Sequence, residues 1–165
     1  MISLALMCTF AHGWQGARLT PGMLATALRM RIGTRAMRRN AFTELVMPAG
    51  YLRQVDRAKL AEQLAPLFGR DLAEQPPVVM KQVRAMSRYD AGPGLKALAG
   101  MPTLVLSAAE DRIAAPRFGR ELAQLIPGAR YVEIEGGGHG VTIQLADKVN
   151  ELFIEHLRST EAVTV

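Results

Sequence analysis

An α/β architecture, with parallel strands flanked by helices and one helical insertion, follows from three features of the 165-residue chain. Two short apolar runs, "ISLALMCTF" and "TLVLS", read as strands covered on both faces, as parallel strands are. A third run, "RYVEIE", alternates as a strand does. Between the first two lies a long stretch, Leu19 to about Tyr89, whose apolar residues recur at helical rather than strand spacing. Strands separated by helices in this way call for right-handed crossovers and a parallel sheet.

The elements can be taken in order. Ile2 to Phe10 is the first strand, and its position almost at the initial methionine leads to the expectation that sequence upstream is missing. It does not read as a signal peptide, because no positive charge precedes the apolar run. "LTPGMLATALRM" offers Thr20 as N-cap and Pro21 at the first helical position. "DRAKLAEQLAPLFG" places Leu60, Leu64 and Leu67 on one helical face and stops at Gly69. "QPPVVMKQVRAMSRY" carries Val79, Val83 and Met86 at the same spacing. After Asp90 come a short helix, a Gly-Met-Pro break, and the strand Thr103 to Ser107. The helix "APRFGRELAQLIPGA" aligns Phe118, Leu122 and Leu125, and "RYVEIE" follows it. "IQLADKVNELFIEHL" closes the pattern, with Leu145, Val149, Leu152, Phe153 and Leu157 assigned to one stripe.

Composition narrows the function. Nearly half the residues are apolar and about a fifth are charged, which suits one globular domain. One cysteine, Cys8, excludes an internal disulfide. It sits in an apolar run and reads as a buried small hydrophobe rather than a nucleophile. With Cys8 and the histidines His12, His139 and His156 scattered along the chain, no metal site is expected, and no cofactor. The net charge of +5 gathers partly at Arg29, Arg31, Arg35, Arg38 and Arg39. Few aromatics accompany these arginines, so they read as a solvated helix face or a surface steering an anionic substrate, not a nucleic-acid site. No apolar run is long enough to cross a bilayer. His156, near the end of the last helix, reads as a cation complementing the helix dipole. The methionines of the helical stretch read as core filler.

In open parallel sheets, functional groups collect at the carboxyl ends of the strands. The strand "PTLVLS" leads into "AAEDRIAAP", placing Glu110 and Asp111 there, and "RYVEIE" leads into "GGGHG", placing His139 in the next such loop. An acid and an imidazole at one sheet edge form a pair in which the carboxylate fixes the imidazole tautomer. The glycines of "GGGHG" suit a tight turn that aims the histidine.

This order resembles the C-terminal part of the α/β-hydrolase fold, in which nucleophile, acid and histidine follow one another along the chain. "MPTLVLSAAEDRIAAP" is similar to that family's acid strand and loop, "IPGARYVEIEGGGHG" to its last strand and histidine loop, and "VNELFIEHL" to its final helix. The resemblance implies a partial α/β-hydrolase fold: residues 1–12 and 90–160 as part of the core, and residues 13–89 as a helical cap. It implies Asp111 as the triad acid in preference to Glu110, and His139 as the general base. His12 and Trp14 fall where a substrate wall would lie. Ala108 stands where the family often has glycine in the acid loop, and the family's G-x-S-x-G nucleophile elbow is absent. None of Ser3, Ser87, Ser107 and Ser159 stands on a strand-to-helix turn between glycines. The implied function is hydrolysis of ester-type bonds in a small molecule (esters, thioesters or lactones), with the nucleophile missing from this chain and the chain alone inactive. The alternative is a non-catalytic binding or complementing module built on the same fold. Expected partners are a small-molecule substrate and, through the exposed first strand, a second copy or another chain, with no nucleic acid and no membrane. The default compartment is the cytoplasm.

Overall fold

A computed structural model of the chain describes residues 2–16 and 20–161. Met1 and Leu19, which the readings above include, lie outside the described residues. Three strands form one parallel sheet in the order β1-β2-β3: β1 (Leu4–Met7), β2 (Thr103–Ala108) and β3 (Arg130–Ile134). Among the described residues six helices lie between β1 and β2: α1 (Gly13–Gly16), α2 (Pro21–Arg29), α3 (Arg35–Val46), α4 (Ala49–Leu52), α5 (Arg57–Phe68) and α6 (Val78–Met86). A 3₁₀ helix, Gly92–Leu98, leads into β2. Then α7 (Pro116–Leu125) crosses from β2 to β3, and α8 (Val141–Gln144) and α9 (Ala146–Glu161) follow β3.

The central strand carries the logic of the sheet. Every residue of β2 is buried, because Leu104, Leu106 and Ala108 pack toward Val141, Val149 and Leu152 while Val105 packs on the other side with Leu122 and Ile126. The first strand departs from expectation twice. It spans only Leu4–Met7 rather than Ile2 to Phe10, since Cys8 turns out of it with a left-handed φ of 46°. It is also half-buried rather than covered on both faces, because among the described residues it pairs with β2 alone and leaves Ala5 exposed.

The helical stretch follows its caps. The Thr20 hydroxyl accepts from the Met23 N–H at the start of α2, with Pro21 in the first turn. Asp56 accepts from the Ala58 and Lys59 N–H groups to start α5, and Gly69, at φ 64°, ends it. Leu60 and Leu64 are buried, but Leu67 stays exposed, because in that last turn Phe68 makes the contact, edge-on to Phe42. Val79, Val83 and Met86 form the half-buried side of α6. In α9 the buried register is Val149, Leu152, His156 and Thr160, so Leu157 points to solvent. His156 therefore packs within the apolar stripe instead of meeting water at the helix end, and its Nε2 makes no hydrogen bond. Among the described residues no helix is long and apolar enough to cross a membrane.

The chain leaves and re-enters the sheet region at one neck. His12 and Asp90 form an antiparallel bridge, the Gly13 N–H donates to the Tyr89 carbonyl, and the Ala91 N–H donates to the Ala11 carbonyl. Most of the clustered arginines are held by acids of the helical stretch. Arg29 and Arg57 share Glu44, each at 2.8 Å. Arg39 grips Asp71 with two nitrogens, at 2.8 and 2.6 Å, and Arg35 adds a third contact.

Hydrogen bonds from Arg39, then from the Ala73 N–H and Arg35, hold the Asp71 carboxyl well below the usual carboxylate range. A depressed acid contributes stability that is complete above its unfolded pKa and drains away as pH falls through the folded one. Asp71→Asn should therefore lower the melting temperature at neutral pH and flatten its fall below about pH 4. Thermal unfolding across pH 2–7, followed by circular dichroism, checks both.

Candidate active site

The loops that follow β2 and β3 open at the same edge of the sheet and are sewn together by their backbones. The Ala109 N–H donates to the Ile134 carbonyl at 3.0 Å, and the Glu110 N–H donates to the Gly137 carbonyl at 2.8 Å. Beyond that second bond the Glu110 side chain is exposed to solvent and Asp111 is buried. The Asp111 side chain is completely shielded from solvent. One of its oxygens, Oδ1, accepts from the backbone N–H groups of Ile113 and Ala114 at 2.7 and 2.8 Å. The other, Oδ2, lies 2.8 Å from His139 Nδ1. Asp111 is thus a turn former and a histidine partner at once, one oxygen for each task.

Burial pulls the Asp111 carboxyl upward, but the hydrogen bond and charge of His139 and the two loop N–H groups outweigh it. The carboxyl titrates below its ordinary value and is ionised at neutral pH. An ionised carboxylate can only accept, so the His139 Nδ1–H that faces Oδ2 is the donor of that hydrogen bond. The His139 side chain is one-third exposed.

The glycine run makes this placement possible. Gly136 turns with φ 67° directly after β3. Gly138 lies so close to the α3–α4 junction that a Cβ there would sit 2.7 Å from both the Val46 carbonyl oxygen and Pro48 Cδ. The Gly140 N–H then donates to the same Val46 carbonyl at 2.8 Å. Gln144 clips the loop from the other side, accepting from the Gly138 N–H and donating to the Gly136 carbonyl.

A third side chain reaches the pair. Cys8, just past the end of β1, places its sulfur within 4.8 Å of the donor atoms of both Asp111 and His139. Burial, followed by the charge and hydrogen bond of Asp111, pushes its thiol up to about 12, against a weaker opposing pull from the Ala108 backbone. Sequence reasoning places Cys8 in the middle of a strand. What it misses is that Cys8 stands at the carboxyl end of the strand beside the acid strand, where side chains from neighbouring loops converge.

Other candidates lie elsewhere. His12 Nδ1 is 2.8 Å from Asp90 Oδ1, its Nε2 is 3.6 Å from Glu121, and its ring stacks on the half-exposed Trp14. Neither His12 nor Trp14 lines the cavity of about 370 Å³ that borders Asp111, which is walled by Met23, Thr26, Leu45, Arg112 and Arg117. A larger cavity of about 720 Å³ lies among the helices, between Arg31, Arg38 and Pro76, away from the acid and histidine. Ser107 is buried, Ser87 and Ser159 donate to carbonyls of their own helices, and Ser3 precedes β1 at its amino end.

A family model described as the alpha/beta hydrolase fold matches residues 20–144. A Klebsiella pneumoniae protein named "Putative carbamate hydrolase RutD" is 33% identical over 79 residues, which is 48% of this chain and 29% of that protein. An enol-lactonase structure from Burkholderia xenovorans superposes with a TM-score of 0.68 at 26% identity, covering 94% of this chain and 56% of the other. A Mycobacterium tuberculosis structure titled "Putative non-heme bromoperoxidase BpoC" gives 0.71 at 20% identity, over 96% of this chain and 58% of the other. The chain thus spans little more than half the length of these neighbours, and less of the Klebsiella relative.

Two consequences are measurable. Gly138→Ala forces the His139 loop off the α3–α4 junction and should cost about 1–3 kcal/mol, read by urea unfolding. The raised thiol should make Cys8 react with iodoacetamide at pH 8 at least about tenfold more slowly than a free cysteine, measured by mass spectrometry under native conditions.

Proposed function

The chain belongs to the α/β-hydrolase fold family, and from that membership we propose that it supplies the acid and general base for hydrolysis of ester-type bonds in a small molecule. The observation that carries the reading is the 2.8 Å contact between the shielded Asp111 carboxylate and His139 Nδ1. In the proposed reaction His139 Nε2 takes the proton of a nucleophile as that group attacks the substrate carbonyl. The same proton then passes to the departing alkoxide, leaving an acyl-enzyme. A water, deprotonated by the same nitrogen, attacks the acyl carbon; the bond from that carbon to the nucleophile breaks, the acid leaves, and the nitrogen returns the proton to the nucleophile. Asp111 keeps the imidazole oriented and offsets its charge while it is protonated. An enol-lactone is a cyclic ester, so the neighbour of that name supports the bond class.

The nucleophile in this reading comes from polypeptide outside these 165 residues, since the sequence holds no G-x-S-x-G. Among the described residues β1 pairs on one side only, and its open edge is where a strand bearing the nucleophile would dock. Joining the chain behind the strand–elbow–helix half of a family member should produce hydrolysis of p-nitrophenyl acetate. That activity should fall about 10⁴-fold in His139→Ala and in Asp111→Asn. The unjoined chain should stay unlabelled by a fluorophosphonate serine probe. Stoichiometric labelling would overturn the placement of the nucleophile, and a joined enzyme indifferent to His139→Ala would overturn the roles assigned. A folded but silent joined protein would favour a binding module.

A further inference from the structure

The fold sorts the arginines of the basic stretch into two groups. Arg29, Arg35 and Arg39 are held by Glu44 and Asp71. Arg31 and Arg38 form no ion pair among the described residues, and both wall the cavity of about 720 Å³ that lies among the helices. Arg38 is half-buried, and its Nε is shut off from solvent with no hydrogen-bond partner among the described residues. From these observations we propose that this cavity binds a small organic carboxylate, with the Arg38 guanidinium as its main anchor and Arg31 as a second cation.

The wall of the cavity is held in place by its own bonds. Arg31 follows α2 and Arg38 lies on α3, while Gln75, Pro76 and Pro77 come from the segment joining α5 to α6. Asp71 ties that segment to α3, because its carboxylate takes Arg35, Arg39 and the Ala73 N–H. Arg70 donates to the Glu74 carbonyl, and Gln75 Nε2 lies 3.9 Å from Met30 Sδ, so two further wall residues are linked. A site whose parts are already fixed loses little freedom on binding, which favours affinity.

The chemistry of the wall selects the ligand. A guanidinium without an acid is short of an acceptor, and a planar carboxylate matches its fork of N–H donors. Glu74, in the same wall, offsets one of the two unpaired charges and leaves a balance suited to a monoanion rather than to a phosphate dianion. Met30, Pro76 and Pro77 offer apolar surface to the rest of the molecule. The volume falls within the range of about 300–1,000 Å³ that small-molecule sites occupy. The ligand is thus an acid with a compact hydrocarbon body.

The test titrates the 165-residue chain with 3-phenylpropanoate by calorimetry and by NMR of the backbone amides. One equivalent should bind, with the shifted amides centred on residues 30–38 and 73–75. The uncharged analogue 3-phenylpropanamide should bind at least about tenfold more weakly. Arg38→Gln should lose at least about tenfold in affinity, and Arg31→Gln, at an exposed position, about two- to fivefold, with circular dichroism confirming that both remain folded. Arg112→Gln, which removes an unpaired arginine beside Asp111, should bind as wild type does. No binding, equal binding of the amide, or wild-type affinity in Arg38→Gln overturns the site, as does a loss confined to Arg112→Gln, which would move the ligand to the acid loop. Inorganic phosphate competing as well as phenylpropanoate overturns the choice of an organic carboxylate. Binding here involves neither Asp111 nor His139, so its failure leaves the hydrolase reading intact, and a failure of the joined enzyme leaves this site intact.

Discussion

A carboxylate removed from water must find compensation for its charge, and Asp111 finds it in four groups drawn from three segments of the chain. Two backbone N–H groups of its own loop hold one oxygen, His139 from the next loop holds the other, and the Cys8 thiol from the end of β1 adds a weaker contact. Each oxygen is committed, and removing the carboxylate would strand several donors in a dry place, where an orphaned donor costs about 1–3 kcal/mol. The geometry of the site is therefore the geometry of satisfying one buried anion. The imidazole is oriented as a by-product of that demand.

Parallel strands make the arrangement reachable. In a parallel sheet every strand ends at the same edge, so the residues following β1, β2 and β3 meet there whatever lies between them in sequence. The register pairs Met7 with Leu106 and Ala108 with Ile134, which sets Cys8, Asp111 and His139 just beyond the last paired residues. The helical stretch then fixes the height of the histidine loop. Its Val46 carbonyl accepts the Gly140 N–H, and only a residue without a side chain can come as near to that junction as Gly138 does. A change in how α3 meets α4 would thus be felt at His139, although neither helix supplies a group to the acid–histidine pair.

Much of this is legible in the sequence because it depends on local chemistry. Thr20, Asp56 and Gly69 announce their helix ends, and the fully buried β2 reads as an unbroken apolar run. Acid and histidine follow consecutive strands, so their meeting needs only the topology. What is not legible depends on which element covers which face. Leu157 and His156 are adjacent, and only the packed register of α9 shows that the histidine is the buried one. Cys8 belongs to an apolar run whose last members leave the strand, and a sharp turn at a non-glycine residue has no sequence signature. The distance between Trp14 and the acid loop is likewise a matter of how α1 packs.

Charge shows the same division, and it changes where a substrate would feel the protein's field. The basic stretch from Arg29 to Arg39 is the obvious candidate for steering an anion when only the sequence is read. In the fold, Arg29, Arg35 and Arg39 are engaged by Glu44 and Asp71, so much of that field is cancelled within the helices. Arg112 and Arg117 form no ion pair among the described residues, and both wall the cavity that Asp111 borders. Their charge is not needed by the Asp111 carboxylate, which is already satisfied by His139 and its own loop. Two uncompensated guanidinium groups beside a cavity raise its potential more than a larger number of paired ones farther off. Arg31 and Arg38, which wall the larger cavity among the helices, also form no ion pair among the described residues, so the unpaired positive charge is divided between that cavity and the acid loop, where Arg112 and Arg117 stand five residues apart.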